Sequence, residues 1–233
     1  MDNVATGLLW YIAFLFSTTL HEASHAFAAM KLGDRTAYEG GQVTLNPFPH
    51  MRREPIGTVV VPLVSYFVGG WMIGWASVPY NLQWAQQFPK RSATMSLAGP
   101  AANLFLVILS GLVIRVGMAM GFFDAPDSIT FMHVVASTTD GAVSTVATFL
   151  DVFFSLNLLL CIFNLLPIPP LDGSGMIPFF LNDGLSRKYL MFIRNPAFSI
   201  MGILVAWRVF DVIYSPLHLA CVNLLYTAVA YYE

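Results

Sequence analysis

The chain has 233 residues, of which 57% are hydrophobic and only 10% are charged, with a formal net charge of −2. Soluble domains average about 45–50% apolar and about 25% charged residues, so this composition predicts an integral membrane protein and excludes a large soluble domain. No run of basic residues is present, so the chain lacks the electrostatic footprint of a nucleic-acid-binding protein.

Hydropathy predicts six apolar segments of about the length needed to span a bilayer. These segments are about 5–31, 56–78, 93–120, 146–166, 196–214 and 217–231. Of the 11 basic residues, nine lie at the end of the first segment or in the loops before the second, third and fifth segments, and the other two are Arg115 and Arg208. Residues 122–144 carry aspartates and no Lys or Arg. The positive-inside rule therefore places the basic loops in the cytoplasm and 122–144 outside.

The second segment, 56–78, conflicts with a simple crossing because basic residues flank it on both sides. Its glycines and Pro62 also weaken a continuous helix. We predict a re-entrant element that enters and leaves on the cytoplasmic side, and an ordinary crossing helix is the alternative. The re-entrant interpretation leaves five spanning helices, and the first of them runs from outside to inside.

The first segment is interrupted by His21-Glu22-Ala23-Ser24-His25. Ionisable groups at the bilayer centre cost about 2.5–3.5 kcal/mol on insertion scales, so they usually face a functional interior. Residues i and i+4 share a helix face, so both histidines can bind one metal ion. The pattern is the HExxH zinc signature, in which the glutamate is the general base. The alternative is a pair of interior histidines bonded to neighbouring polar groups.

A catalytic zinc site needs a third protein ligand. The helix at 146–166 is predicted to run inward and to end at a proline-rich stretch, Pro167-Ile168-Pro169-Pro170. Asp172 follows at the same predicted membrane face as His21 and His25. The topology thus brings a carboxylate to the two imidazoles, although Asp172-Gly173 is also compatible with an ordinary turn.

Three ordered motifs resemble the site-2 protease family of intramembrane metalloproteases. They are His21–His25, then Ser96–Asn103 at the opening of the next core span, and Asn164–Pro167 followed by Leu171–Gly173. The resemblance covers about residues 8 to 175. Residues 74–81, after 54–58, also look like a bacterial and archaeal subgroup of that family.

The resemblance implies a three-helix catalytic core and one zinc ion per chain, held by His21, His25 and Asp172. It makes Glu22 the catalytic glutamate. The substrate would be a transmembrane protein in the lipid bilayer. We expect the site on the cytoplasmic side of a prokaryotic cytoplasmic membrane.

The family's two helix asparagines correspond to Asn103 and Asn164. The resemblance implies that they position the substrate backbone or stabilise the oxyanion. The alternative is interhelical hydrogen bonding, which is common for Asn in membrane helices.

The predicted fold class is therefore an all-α polytopic membrane protein that forms a single protease domain over 1–233. Its catalytic core spans about 5–175, and C-terminal transmembrane helices span about 196–231. The interval 32–92 is too short and too apolar for the PDZ domain that many relatives carry, and the C-terminal part is too apolar for a CBS domain.

Residues 38–46 are predicted to form a short membrane-associated strand or β-hairpin. An exposed edge at Val43, Thr44 and Leu45 would bind an unwound substrate by strand addition. A plain surface hairpin is the alternative.

The remaining histidines, His50, His133 and His218, are expected at the surface or the membrane interface and not as ligands.

Two other functions compete with intramembrane proteolysis. Other membrane zincins use a glutamate as third ligand, and no other glutamate lies in such a context. The second competing function is that of a non-proteolytic metal-binding protein or a metal transporter. The presence of Glu22 argues against a site without catalysis, and the apolar outer halves of the helices argue against a transport path.

Overall fold

The computed structural model describes residues 2–226 and Tyr231, and this part of the chain is mostly helical. In chain order the helices are α1 (Asp2–Leu32), α2 (Thr36–Glu39), α3 (Pro47–Arg53), α4 (Val61–Gly69), α5 (Leu82–Gln87), α6 (Pro89–Ala119), α7 (Ala142–Leu165), α8 (Asp172–Met176), α9 (Asp183–Phe192) and α10 (Pro196–Leu225). A π-helical turn at Ile56–Val60 precedes α4, and a 3-10 turn at Ile177–Phe180 follows α8. Strands β1 (Phe123–Asp124) and β2 (Ala136–Ser137) pair antiparallel.

Among the described residues, three helices are long and apolar enough to cross a bilayer. They comprise Val4–Leu32 of α1, Pro89–Ala119 of α6 and Ala142–Leu165 of α7. A fourth span results if α9 and Ala197–Phe210, which are bent by 90° to each other, count as one. The predicted count of five is therefore not confirmed.

The three long helices pack around a common apolar core. Trp10 and Phe14 of α1, Leu106 of α6, and Val152 and Leu156 of α7 are buried in one cluster. This packing holds the three helices side by side over much of their length.

The segment predicted as re-entrant folds back on itself. The outgoing half consists of the π-helical turn and α4. The chain then reverses at Gly70, whose φ of +77° is readily adopted only by glycine. The return is extended, and the N–H of Trp75 donates to the carbonyl of Gly57 at 3.1 Å. At the open end, the Ser77 hydroxyl donates to the Glu54 carboxylate at 2.6 Å. The segment thus begins and ends together, as a re-entrant element requires, while its depth in a bilayer stays a prediction.

The predicted strand or hairpin at 38–46 is wrong. The Asp34 carboxylate accepts hydrogen bonds from the N–H and hydroxyl of Thr36, and this turn leads into the helical turn α2. The chain then reverses at Gly41, which has φ +72°, and Asn46 caps α3 by accepting from the Phe48 N–H. These local hydrogen bonds therefore outweigh the strand propensity of the residues between them. Within the described chain, paired strands occur only in the 122–144 loop, at β1 and β2.

The predicted division between 196–214 and 217–231 is also wrong, because α10 continues through Pro216. An interior proline removes one backbone hydrogen bond, and packed neighbours in membrane proteins commonly compensate for that loss. Here α10 packs on α6 and α7 through the buried side chains of Phe210 and Val222. The end of the predicted last segment, apart from Tyr231, lies outside the described residues.

Candidate metal centre

Three side chains from two distant parts of the chain meet at one point. The Nε2 atoms of His21 and His25 are 3.1 Å apart, and they lie 3.1 and 3.2 Å from Oδ2 of Asp172. Ligand atoms about 2.0–2.2 Å from a tetrahedral zinc ion are about 3.4 Å apart, so this near-equilateral triangle has the size of a shared cation site. Among the described residues, these three form the one His, Cys, Asp and Glu group with such geometry.

The two histidines are one helical turn apart on α1 and point to the same side. Both are buried, and so is the adjacent Glu22. Since α1 is unbroken from Asp2 to Leu32, the i, i+4 spacing directly sets the separation of the imidazoles.

Asp172 reaches the histidines because α7 ends early. The helix stops at Leu165, and an extended residue, Leu171, then begins the short helix α8 with Asp172 in its first turn. Gly173 packs directly on the carbonyls of Leu165 and Leu166, where a side chain would collide. A glycine is therefore needed beside the carboxylate to turn it toward α1.

The Asp172 carboxyl favours its anionic form. Burial alone would raise its pKa, but the charge of His25 and hydrogen bonds from both imidazoles outweigh burial and hold the pKa well below its usual range. An anionic oxygen beside two imidazole nitrogens is a common ligand set for zinc.

Helix α6 supplies the face that supports the histidines, through residues at successive helical turns. The Met95 carbonyl accepts a hydrogen bond from Nδ1 of His25 at 2.7 Å, and Oδ1 of Asn103 accepts one from Nδ1 of His21 at 2.5 Å. Between them, Gly99 has no side chain, and a Cβ there would collide with both Nε2 atoms.

These two hydrogen bonds test whether the residues suit a metal. With Nδ1 protonated and bonded outward, each imidazole presents the lone pair of Nε2 toward Asp172. Metal-binding histidines characteristically donate their second N–H to a carbonyl or carboxylate in this way. The orientation of both rings, and not only the residue types, thus fits a zinc ion.

Glu22 lies beside the three candidate ligands, and its catalytic role stays a prediction. Its side chain interacts electrostatically with both histidines and with Asp172. His50 of α3 interacts with it as well. The expected surface location of His50 is wrong, because its side chain is only 1% exposed and its Nε2 lies 3.2 Å from the Thr44 carbonyl.

The other two histidines, His133 and His218, differ in their exposure to solvent. His133 is exposed in the loop between α6 and α7, as expected. His218 is buried between α10 and α7, where its Nε2 lies 3.1 Å from the Ser155 hydroxyl, so its expected interfacial location is wrong. Neither belongs to the three-ligand group.

The two predicted asparagines occupy different environments. Asn103 is fully buried, and its amide nitrogen donates to Asn157 while its oxygen accepts from His21. Asn164 is partly exposed near the end of α7, and its amide donates to the Leu160 carbonyl of the same helix at 3.0 Å. Their roles toward a substrate stay predictions, and for Asn103 the observed contact is with a histidine.

Val43, Thr44 and Leu45 lie in a bend between α2 and α3, and Leu45 is exposed. The hydrogen bond between Thr44 and His50 connects this bend to the neighbourhood of Glu22. Their substrate-binding role stays a prediction.

Sequence reasoning missed Met95, whose carbonyl accepts from Nδ1 of His25, and Asn157, whose oxygen accepts from the amide of Asn103. One of them, Met95, acts through a backbone carbonyl, which no residue pattern reveals. Asn157 lies two helical turns before Asn164, and this repeat of asparagines on one face of α7 was the available signal.

Comparison with known proteins adds independent information. Residues 9–206 match the family model described as Peptidase family M50. A Bacillus subtilis (strain 168) protein named "Putative zinc metalloprotease YwhC" is 35% identical over 179 residues, which cover 76% of this chain and 71% of that protein. The "Putative zinc metalloprotease Rip2" of Mycolicibacterium smegmatis is 32% identical over 187 residues, which cover 80% of this chain and 62% of that protein. No solved structure matches the chain.

Proposed function

Because the chain belongs to peptidase family M50, the site-2 protease family, we propose that it is a zinc-dependent intramembrane endopeptidase. It cleaves transmembrane or membrane-proximal segments of other membrane proteins, either to release a signalling fragment or to clear a remnant. The observation that carries this proposal is the convergence of His21, His25 and Asp172, with both imidazoles oriented by hydrogen bonds at Nδ1.

The position of the site along α1 supports cleavage within the membrane. His21 lies 11 residues before the helix end at Leu32, which is about 16 Å at a rise of about 1.5 Å per residue. The hydrocarbon core is about 30 Å thick, so a site at this level lies below the surface of the bilayer. The positions of the basic loops support the cytoplasmic half for this site, and the bacterial relatives favour a prokaryotic cytoplasmic membrane.

The residues divide the chemistry of peptide hydrolysis among them. His21, His25 and Asp172 would hold one zinc ion, which when bound supplies Lewis-acid polarisation and an acidified water. Glu22 accepts the proton of the attacking water and passes it to the leaving amine. Burial of Glu22 keeps bulk water from competing for that proton.

A helical substrate must unwind before attack, because its backbone amides are held in internal hydrogen bonds in lipid. Asn164 and the bend at Val43, Thr44 and Leu45 are the groups we propose to bind the unwound backbone. The exposure of Leu45 and the contact of Thr44 with His50 support this assignment.

The direct test combines metal analysis with cleavage of a model transmembrane substrate in proteoliposomes. We expect the wild type to contain about one zinc per chain and to cleave. Glu22→Gln keeps the zinc and loses at least about 100-fold in rate, since general-base catalysis contributes about 10²–10⁴. Asp172→Asn loses most of both.

Glu39→Gln is the matched control, because Glu39 is exposed and its carboxylate lies 3.8 Å from Nε of Arg35, the N-cap residue of α2. It should keep both zinc and activity. Normal cleavage by Glu22→Gln would refute the proposed chemistry, and a zinc-loaded wild type that cleaves no membrane substrate would favour a non-proteolytic metal-binding protein or transporter.

A further inference from the structure

A line of buried hydrogen bonds joins His21 to all three long helices. Nδ1 of His21 on α1 bonds to Oδ1 of Asn103 on α6, whose Nδ2 donates to Oδ1 of Asn157 on α7 at 2.9 Å. Nδ2 of Asn157 then donates back to α1, to the hydroxyl of Ser17, at 2.9 Å. Ser17, Asn103 and Asn157 are each 0% exposed.

The direction of every bond in this line follows from one backbone group. The amide nitrogen of Asn157 also donates to the Phe153 carbonyl at 2.8 Å. A carbonyl only accepts, so the Asn157 amide must turn its nitrogen to Phe153 and Ser17 and its oxygen to Asn103.

The orientation of the Asn157 amide also fixes the Asn103 amide and the tautomer of His21. Because the Asn157 oxygen accepts, Asn103 must turn its nitrogen to Asn157 and its oxygen to His21. An oxygen acceptor at Nδ1 of His21 selects the tautomer with the proton on Nδ1 and the lone pair on Nε2. That lone pair is the one directed at Asp172.

We propose that Ser17 and Asn157 are positioning residues for the metal centre, which act through Asn103 to set the tautomer and ring orientation of His21. This proposal rests on the zinc site proposed above. Asn103 thereby holds a ligand in place, in addition to or instead of the substrate role that the family resemblance implies. The same hydrogen bonds join α1, α6 and α7 to one another at the level of the site.

In the absence of the Asn157 amide, the Asn103 amide is free to flip and present an N–H to Nδ1 of His21. That arrangement favours the wrong tautomer, with the proton on Nε2, where it blocks metal binding. Changes to groups behind metal-binding histidines typically cost about 10–100-fold in metal affinity.

The experiment measures zinc affinity by chelator competition on the purified full chain in detergent. The variants are Ser17→Ala, which removes one hydroxyl, and Asn157→Leu, which keeps the branched shape and removes the amide. We expect zinc affinity to fall by about 10–100-fold for Asn157→Leu. The loss should be smaller for Ser17→Ala, because the Phe153 carbonyl still orients the Asn157 amide in that variant. The absorption spectrum of the Co²⁺-substituted protein should shift in both variants.

Ser155→Ala is the matched control. Ser155 is also 0% exposed and joins two helices through a hydrogen bond, but its partner is His218. Among the described residues, no hydrogen bond connects its side chain to Ser17, Asn103 or Asn157. We expect wild-type zinc affinity and Co²⁺ spectrum for this variant. Helical content and thermal unfolding, recorded for all variants, ensure that the folded proteins are compared.

Two results would overturn the proposal. One is wild-type zinc affinity and Co²⁺ spectrum in folded Ser17→Ala and Asn157→Leu proteins, and the other is an equal loss of affinity in Ser155→Ala. Either leaves the zinc protease proposal intact if the wild type binds zinc and cleaves. A wild type that binds no zinc would instead refute the metal site itself.

Discussion

The backbone carbonyl of Met95 accepts a hydrogen bond from Nδ1 of His25 at 2.7 Å, so a helix with no ligand of its own orients a ligand on its neighbour. One turn further along α6, Gly99 lets the two helices approach until the imidazoles lie where its side chain would be. The metal centre therefore depends on the close packing of α6 on α1 as much as on its three ligands.

Gly99→Ala should weaken zinc binding. The added methyl group would collide with Nε2 of both His21 and His25, so at least one imidazole must turn away from the shared point. We expect a loss of at least about 10-fold in zinc affinity, measured by chelator competition.

Gly111→Ala on the same helix is the control for that change. Its methyl group would meet a terminal methyl of Leu225 at 3.0 Å, a flexible neighbour far from the ligands. Wild-type zinc affinity is expected here, and similar losses in both variants would contradict a specific role for Gly99.

Removal of the metal should abolish cleavage reversibly. Treatment with a chelator is expected to stop cleavage, and added zinc should restore it. Zinc should also raise the unfolding temperature of the wild type and of Glu22→Gln, since a ligand that binds only the folded state stabilises it. A metal-free protein that still cleaves, or a zinc-induced stabilisation that persists in Asp172→Asn, would be inconsistent with the site described.

Proline at Val43 or Thr44 should reduce cleavage and leave zinc content intact. Within the described structure, neither backbone N–H donates a hydrogen bond, so proline removes a donor available to a substrate and not one used in the fold. We expect slower cleavage of a membrane substrate at normal zinc content. Ser128→Pro in the loop between α6 and α7 is a comparable exposed change and should have no effect on turnover. Full activity of Val43→Pro and Thr44→Pro would exclude the bend from substrate binding.

Asp151→Leu should destabilise the protein without changing its metal content. The Asp151 carboxylate on α7 accepts hydrogen bonds from the N–H groups of Val134 and Val135 at 2.6 and 2.8 Å, which anchors the loop before α7. Leaving a buried donor unpaired costs about 1–3 kcal/mol, so thermal unfolding in detergent should occur at a clearly lower temperature. Asp151→Asn retains an acceptor oxygen and should lose much less stability. A loss of zinc in Asp151→Leu at temperatures where it is folded would show that the loop also supports the metal centre.

The ligand set was accessible to sequence reasoning for local reasons. His21 and His25 are separated by one turn of the same helix, and the proline-rich stretch before Asp172 ends α7 whatever the helix packs against. The family match, over residues 9–206, covers these residues. The predicted strand at 38–46 failed although the competing contacts are also local. The side chains of Asp34 and Asn46 accept hydrogen bonds from N–H groups two residues further on, and the turns that they form outweigh the strand propensity of the residues between them.

Sequence alone determined the apolar character of the chain, the helical spacing of the two histidines and the position of Asp172 just after the end of α7, because hydropathy, helix period and proline geometry act over a few residues. Only the tertiary structure decided the burial of His50 beside Glu22 and the bonding of Asn103 to His21. Those contacts join residues far apart in the chain, and they depend on the packing of whole helices, which no local pattern encodes.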